Sequence, residues 1–102
     1  MPQVYKCFAG AALKYVSFNK CNLDTSSVAW LIGLINLTES IGDLRLAINH
    51  LNYFDLENIL HACVAKNRTG ERMIVLIHNN NISYYERKKL NKIVEGTLIK
   101  II

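Results

Sequence analysis

Proline is all but missing from this chain: Pro2 is the only one, and glycine stands at just five positions. A polypeptide so poor in both contains no proline-rich spacer and no glycine-rich hinge. With 51% of its residues apolar it also lacks the composition of a disordered tail. Long apolar runs are missing too. Lys6 and Lys14 interrupt the stretch "MPQVYKCFAGAALKYV", leaving no apolar centre for a signal peptide. No run approaches the about 20 residues that a membrane helix needs, so a soluble, intracellular chain without membrane insertion is expected.

Cysteine is scarce and unpaired in pattern. Cys7, Cys21 and Cys63 are odd in number, far apart and set among apolar neighbours, as buried thiols are in a reducing compartment. No C-x2-C or H-x3-H pair joins them to His50, His61 or His78, so no metal is expected. Neither Cys21 near Asp24 nor Cys63 near His61 has the spacing of a nucleophile with its base. Phosphate-loop, dinucleotide and nucleophile-elbow motifs are absent as well. These absences together point away from an enzyme and from any cofactor. Three glycosylation-type triplets, starting at Asn36, Asn67 and Asn81, read as chance matches in an Asn-rich sequence.

What is present is one domain's worth of chain, 102 residues, with a mild excess of positive charge, +4. That balance favours acidic partners without demanding nucleic acid. The informative feature is a recurrence. In "LKYVSFNKCNL" apolar residues fall at Leu13, Val16, Phe18 and Leu23, with Cys21 two places before the last. Twenty-eight residues on, "IGDLRLAINHL" repeats the spacing with Ile41, Leu44, Leu46, Asn49 and Leu51. Thirty-one further, "RMIVLIHNNNI" supplies Val75, Ile77, Asn80 and Ile82, with Arg72 in the first apolar place.

Each segment is followed by a residue suited to cap a helix, Asp24, Asn52 or Ser83. Pairs at i, i+4 then recur on one helix face: Leu31 and Ile35, Ile59 and Cys63, Leu90 and Val94. Each unit therefore reads as strand, turn, helix, with return loops at "NLTESIGD" and "KNRTGER" eased by Gly42 and Gly70.

This pattern resembles the ribonuclease-inhibitor-like leucine-rich repeat family, whose template is LxxLxLxxN/CxL followed by a helix. The resemblance implies an N-terminal cap over 1–12, repeats at 13–40, 41–71 and 72–97, and a truncated last strand at 98–102. It also implies parallel strands on a concave face, with Cys21, Asn49 and Asn80 bonding the backbone of the turns. Arg72, the stretch to 31 residues and the short last unit depart from the template and predict irregular third and fourth coils.

A second reading stays open. "VYKCFAGAALKYVSF", "NLDTSS" and "DLRLAINHLNYFD" resemble the opening hairpin, helix entry and central strand of the sulfate-transporter and anti-sigma-antagonist domain. Its phosphorylation signature is missing, because Leu56 follows Asp55. Either architecture is α/β.

The repeat register predicts strands near 15–19, 43–48, 73–78 and 98–102, and helices near 26–37, 55–66 and 84–94. It turns Tyr15, Ser17, Asn19, Asp43, Arg45, Ala47, Ile74, Leu76 and His78 away from the core. Tyr15, Arg45, Ile74, Leu76 and His78 are the expected partner-binding residues on that face. "GTLIKII" reads as an apolar edge strand, which adds Leu98, Ile99 and Ile101 as contacts for a protein partner or a second copy of the chain. In "YYERKKLNKIVEG", Arg87, Lys88, Lys89 and Lys92 form a basic helix face that suits nucleic acid as an alternative. The expected function is a non-catalytic interaction module or small complex subunit. A regulatory binding domain of the second resemblance and an RNA-contacting subunit are the alternatives.

Overall fold

The apolar places of the recurring template are where the core forms. Leu44, Leu46, Leu51, Val75 and Ile77 are sealed from solvent, together with Leu56, Ile59, Leu60 and Leu90 from the helices. All belong to one apolar cluster, against which Val16 and Phe18 of the first unit pack as half-buried members. Burying one such side chain contributes about 1.5–3 kcal/mol, so the spacing of these residues dictates which face of each element turns inward.

The computed structural model describes residues 12–67 and 71–102. The N-terminal cap expected over 1–12 falls outside them except for Ala12, as do Gly10 and Gly70. The fold is α/β. Strands β1 (Ala12–Leu13), β2 (Val16–Ser17), β3 (Ser40–Ile41), β4 (Asp43–Arg45), β5 (Met73–Leu76) and β6 (Ile99–Ile101) are interleaved with three described helices, α1 (Val28–Leu37), α2 (Tyr53–Lys66) and α3 (Tyr84–Ile93). Strands β2, β4, β5 and β6 make a sheet in that order, and β1 with β3 a two-stranded one. Every pairing among them is parallel. The register aligns Val16, Leu44, Val75 and Ile101, the inward-facing template positions, in one row. Helix α2 packs between α1 and α3.

All three expected caps are in place. Asp24 caps the short 3-10 turn Thr25–Ser27 that opens α1, Asn52 caps α2 and Ser83 caps α3. In each case the third residue of the helical segment, Ser27, Asp55 or Glu86, bonds back to the cap, which satisfies free N–H groups at both ends of the exchange. The buried Asp55 carboxylate also accepts the Thr25 hydroxyl at 2.9 Å, tying the first two units together.

The strands are shorter than the sequence pattern suggested, but their hydrogen bonding runs on. Phe18 and Lys20 N–H donate to the carbonyls of Arg45 and Ala47, and Leu46 and Ile48 N–H to those of Leu76 and His78. The β1–β3 pair was not anticipated, since part of it lies in the stretch read as a return loop. Gly42 makes it possible: its N–H donates to Leu13, and a Cβ there would sit 3.0 Å from the Lys14 carbonyl oxygen. Arg72 is exposed and β5 begins one residue later, so the third unit adds no strand to this small sheet.

Between strand and helix the backbone has to turn, and its amides lose the sheet as partner. Two asparagines supply the replacement. Asn49, buried, accepts from the N–H groups of Cys21 and Leu23 through Oδ1 at 3.0 and 2.9 Å. Its Nδ2 donates to the carbonyls of Phe18, Leu46 and Ala47. Asn80 repeats the arrangement one unit on, accepting from Leu51 N–H at 3.0 Å and donating to Leu46 and Ile77. The residue before each place, Lys20, Ile48 or Asn79, has a left-handed backbone with φ between 56 and 59°. Cys21 plays only the local part of the bonding role that the resemblance implied, the bond to the carbonyl two residues back that Asn49 also makes. Its exposed thiol reaches only the Asn19 carbonyl of its own turn, at 3.4 Å. The asparagines serve the unit before their own, and no described turn precedes Cys21.

Replacing Asn49 by Ala leaves the Leu23 N–H unpaired in a buried place and removes the bonds to the Cys21 N–H and the Phe18 carbonyl, and should lower unfolding free energy by about 3 kcal/mol. Cys21→Ala, by contrast, should change it by less than about 0.5 kcal/mol. Urea denaturation of the two variants measures both values.

Candidate functional site

Alternation along parallel strands sends one set of side chains into the core and the other to the opposite face. The register makes that second face a grid. One row runs through Asp43, Ile74 and Lys100, continued on the β2 side by Tyr15; the next holds Ser17, Arg45 and Leu76. His78 stands exposed beyond the end of β5. The partner-binding residues expected on the face, Tyr15, Arg45, Ile74, Leu76 and His78, are thus brought onto one side of the sheet.

Arg45 organises the β2–β4 half. Its guanidinium lies 4.7 Å from the centre of the Tyr15 ring and donates to both Asp43 carboxylate oxygens, from Nε at 3.3 Å and from Nη2 at 3.2 Å. The hydrogen bond to Asp43 raises its pKa further, so the group stays cationic. The other half is apolar: Ile74 is 37% exposed and Leu76 half-buried. Ala47 is the exception on this face. It is buried where Asn19 Oδ1, Lys20 N–H and Asn49 Nδ2 all converge on its backbone.

At the β6 edge the expected contacts divide. Leu98 is 52% exposed, whereas Ile99 and Ile101 are 5% and 8% exposed and belong to the core cluster. Their side chains are therefore committed inward, which corrects their place among the contact residues. The exposed partners on this edge are Leu98, Lys100 and Ile102.

Along α3 the basic residues separate as well. Lys88, Lys89 and Lys92 are exposed, while Arg87 is half-buried at the side of the helix. Lys88 Nζ lies 4.7 Å above the Tyr84 ring, and Lys89 Nζ reaches across to the Tyr53 ring of α2 at 5.8 Å. Tyr53 and Phe54 went unremarked in the sequence. The repeat offset of 31 that links Leu44 to Val75 would have found them, because it carries Tyr53 onto Tyr84 and Phe54 onto Tyr85.

The reactive residue types are scattered. His50, His61 and His78 are all exposed, and among the described residues no group of three His, Cys, Asp or Glu is placed to hold a metal ion. Cys63 does line a shallow pocket with Thr38, Ser40, Lys66, Arg72 and Met73. Burial pushes its thiol up to about 12, which keeps it protonated and without nucleophilic power at neutral pH. No described helix is long and apolar enough to cross a membrane. The sequence matches no protein-family model, and no curated protein matches it.

The Cys63 environment has a consequence for stability. Because the thiol pKa is raised from 9.0 to about 12 by burial in the folded state, stability should be independent of this group below pH 9 and fall as pH rises from 9 towards 12, where only the unfolded chain can ionise it freely. At pH 8, iodoacetamide followed by peptide mapping should modify exposed Cys21 within minutes and leave Cys63 untouched. In urea both should react.

Proposed function

We propose that this chain is a non-catalytic protein-interaction module of leucine-rich-repeat type, binding a protein partner through its open sheet face. The observation that carries the reading is the two-sided character of that face. It sets a fixed Tyr15–Arg45–Asp43 constellation beside exposed Ile74 and half-buried Leu76, with the helix core residues gathered on the other side of the sheet. Aromatic and arginine anchors beside apolar ground are the composition of interface hot spots, and Arg45 is already held in one orientation by its two neighbours. The parallel strands, the left-handed residue at the same place in each unit and the asparagines that serve the preceding turn support the repeat assignment.

The β6 edge extends the same surface. Among the described strands the sheet order ends there, and Leu98 and Ile102 flank it exposed, with Lys100 the one charge between them. A second copy of the chain or a strand of the partner would pair with this edge through the backbone.

The test compares two variants with the parent chain, each immobilised and challenged with the same cell extract. Tyr15→Ala/Arg45→Ala/Leu76→Ala changes the face; Leu98→Lys/Ile102→Lys changes the edge without touching the core. The face variant should lose at least tenfold of the captured partner while melting within a few degrees of the parent, since hot-spot truncations cost about 2 kcal/mol each. The edge variant should run as a monomer where the parent self-associates. Unchanged capture by the folded face variant would refute the assignment.

A further inference from the structure

The N-terminal ends of α2 and α3 carry a second surface, away from the residues of the sheet face. Phe54 is 69% exposed, Tyr84 69% and Tyr85 75%, although large rings of this kind are ordinarily withdrawn from water. They are held in place by one another. Tyr53 and Phe54 meet edge to face at 5.4 Å, Tyr84 and Tyr85 do so at 6.1 Å, and Lys89 bridges from α3 to Tyr53. Two aromatic pairs thus stand at the starts of neighbouring helices, linked by Lys89, with Phe54, Tyr84 and Tyr85 open to solvent.

The lysines of this surface form no ion pair among the described residues. On α3, Tyr84, Lys88 and Lys92 follow one another at i, i+4 spacing, and Tyr85 and Lys89 run alongside. Among the described residues the only ion pair joins Arg45 to Asp43, so none of these lysines has a carboxylate within 4 Å. Carboxylates border the surface without pairing with these lysines: Glu86 accepts the Ser83 N–H at 2.8 Å to cap α3, Glu57 accepts the Tyr53 hydroxyl at 2.8 Å, and Glu95 stands exposed three residues after Lys92.

We propose that this surface binds single-stranded nucleic acid, its lysines taking the phosphates and its exposed rings stacking on unpaired bases. An acidic peptide would satisfy the lysines and leave the rings in water. A single strand offers an anion and a flat π-face with every nucleotide, which is the pairing that rings and cations set side by side recognise. Such binding depends little on base sequence, because every base has a face to stack.

The probe is a labelled single-stranded RNA of about twelve nucleotides, long enough to span a site of the usual size. Titrated with the whole chain and followed by fluorescence anisotropy, it should bind with a log K against log salt slope near −2, as three neutralised phosphates require. Phe54→Ala/Tyr85→Ala should weaken binding about tenfold or more, as should an abasic strand of the same length offered to the parent chain. Lys88→Gln/Lys89→Gln/Lys92→Gln should flatten the salt slope to near zero. Arg45→Ala, on the sheet face, should change nothing, so failure here leaves the interaction reading untouched and the reverse holds too. The proposal is overturned by no binding at low salt. It is equally overturned if the abasic strand or polyglutamate binds as tightly as the RNA, which would mean an acid-binding face. Retention on phosphatidylserine vesicles without RNA binding would assign these residues to a membrane surface instead.

Discussion

A chain that leaves a parallel strand for a helix must turn away from the sheet, and the backbone amides in that turn are buried or half-buried with no strand to receive them. Each one left unpaired there would cost about 1–3 kcal/mol. In this protein the side chains of Asn49 and Asn80 stand in for the missing strand, and everything else in the stack depends on them. An amide side chain is suited to this task because it presents an acceptor and two donors in one plane. It can take N–H groups from the unit behind while bonding carbonyls on both sides. The left-handed backbone at Lys20, Ile48 and Asn79 marks the same turn in each unit, and at Ile48 and Asn79 it immediately precedes the bonding asparagine. For Ile48 the cost is real, because a β-branched side chain crowds its own backbone there.

Once the turns are fixed, the strand register follows and so does the division of faces. Leucines and isoleucines at template positions enter the core with the helices, and the alternate residues are left facing outward in rows. The Arg45–Asp43 pair is local to β4, and stacking adds Tyr15, which stands just before β2 and meets Arg45 through the β2–β4 register. Tyr53 and Phe54 stand at the same places as Tyr84 and Tyr85 because consecutive helices start after equivalent caps, and Lys89 links α3 to Tyr53.

Much of this was legible in the residues. Asp24, Asn52 and Ser83 announce three helix starts because each is a short oxygen-bearing side chain standing just before an apolar period, and all three make the capping exchange. The inward places were legible for the same reason, that apolar spacing reports burial. What was not legible depends on geometry between units. Cys21 occupies an asparagine place, yet the bonding runs backward, so its identity alone does not reveal that no described turn lies behind it. Ile99 and Ile101 looked like edge contacts because an apolar run at an edge strand has two faces, and only the register to Met73 and Val75 decides which one is buried. The two-residue pair of β1 and β3 is too short to leave a periodic signal, and it rests on a close approach at Gly42.

Amide hydrogen exchange tests the central claim, that side-chain oxygens of the following repeat hold the turns. The N–H groups of Leu23 and Leu51 bond to no strand, only to Asn49 and Asn80 Oδ1. They should exchange as slowly as the ladder amides of Leu46 and Ile77, with protection set by global unfolding. Exchange of Leu23 and Leu51 at rates typical of open loops, while Leu46 and Ile77 stay protected, would contradict it.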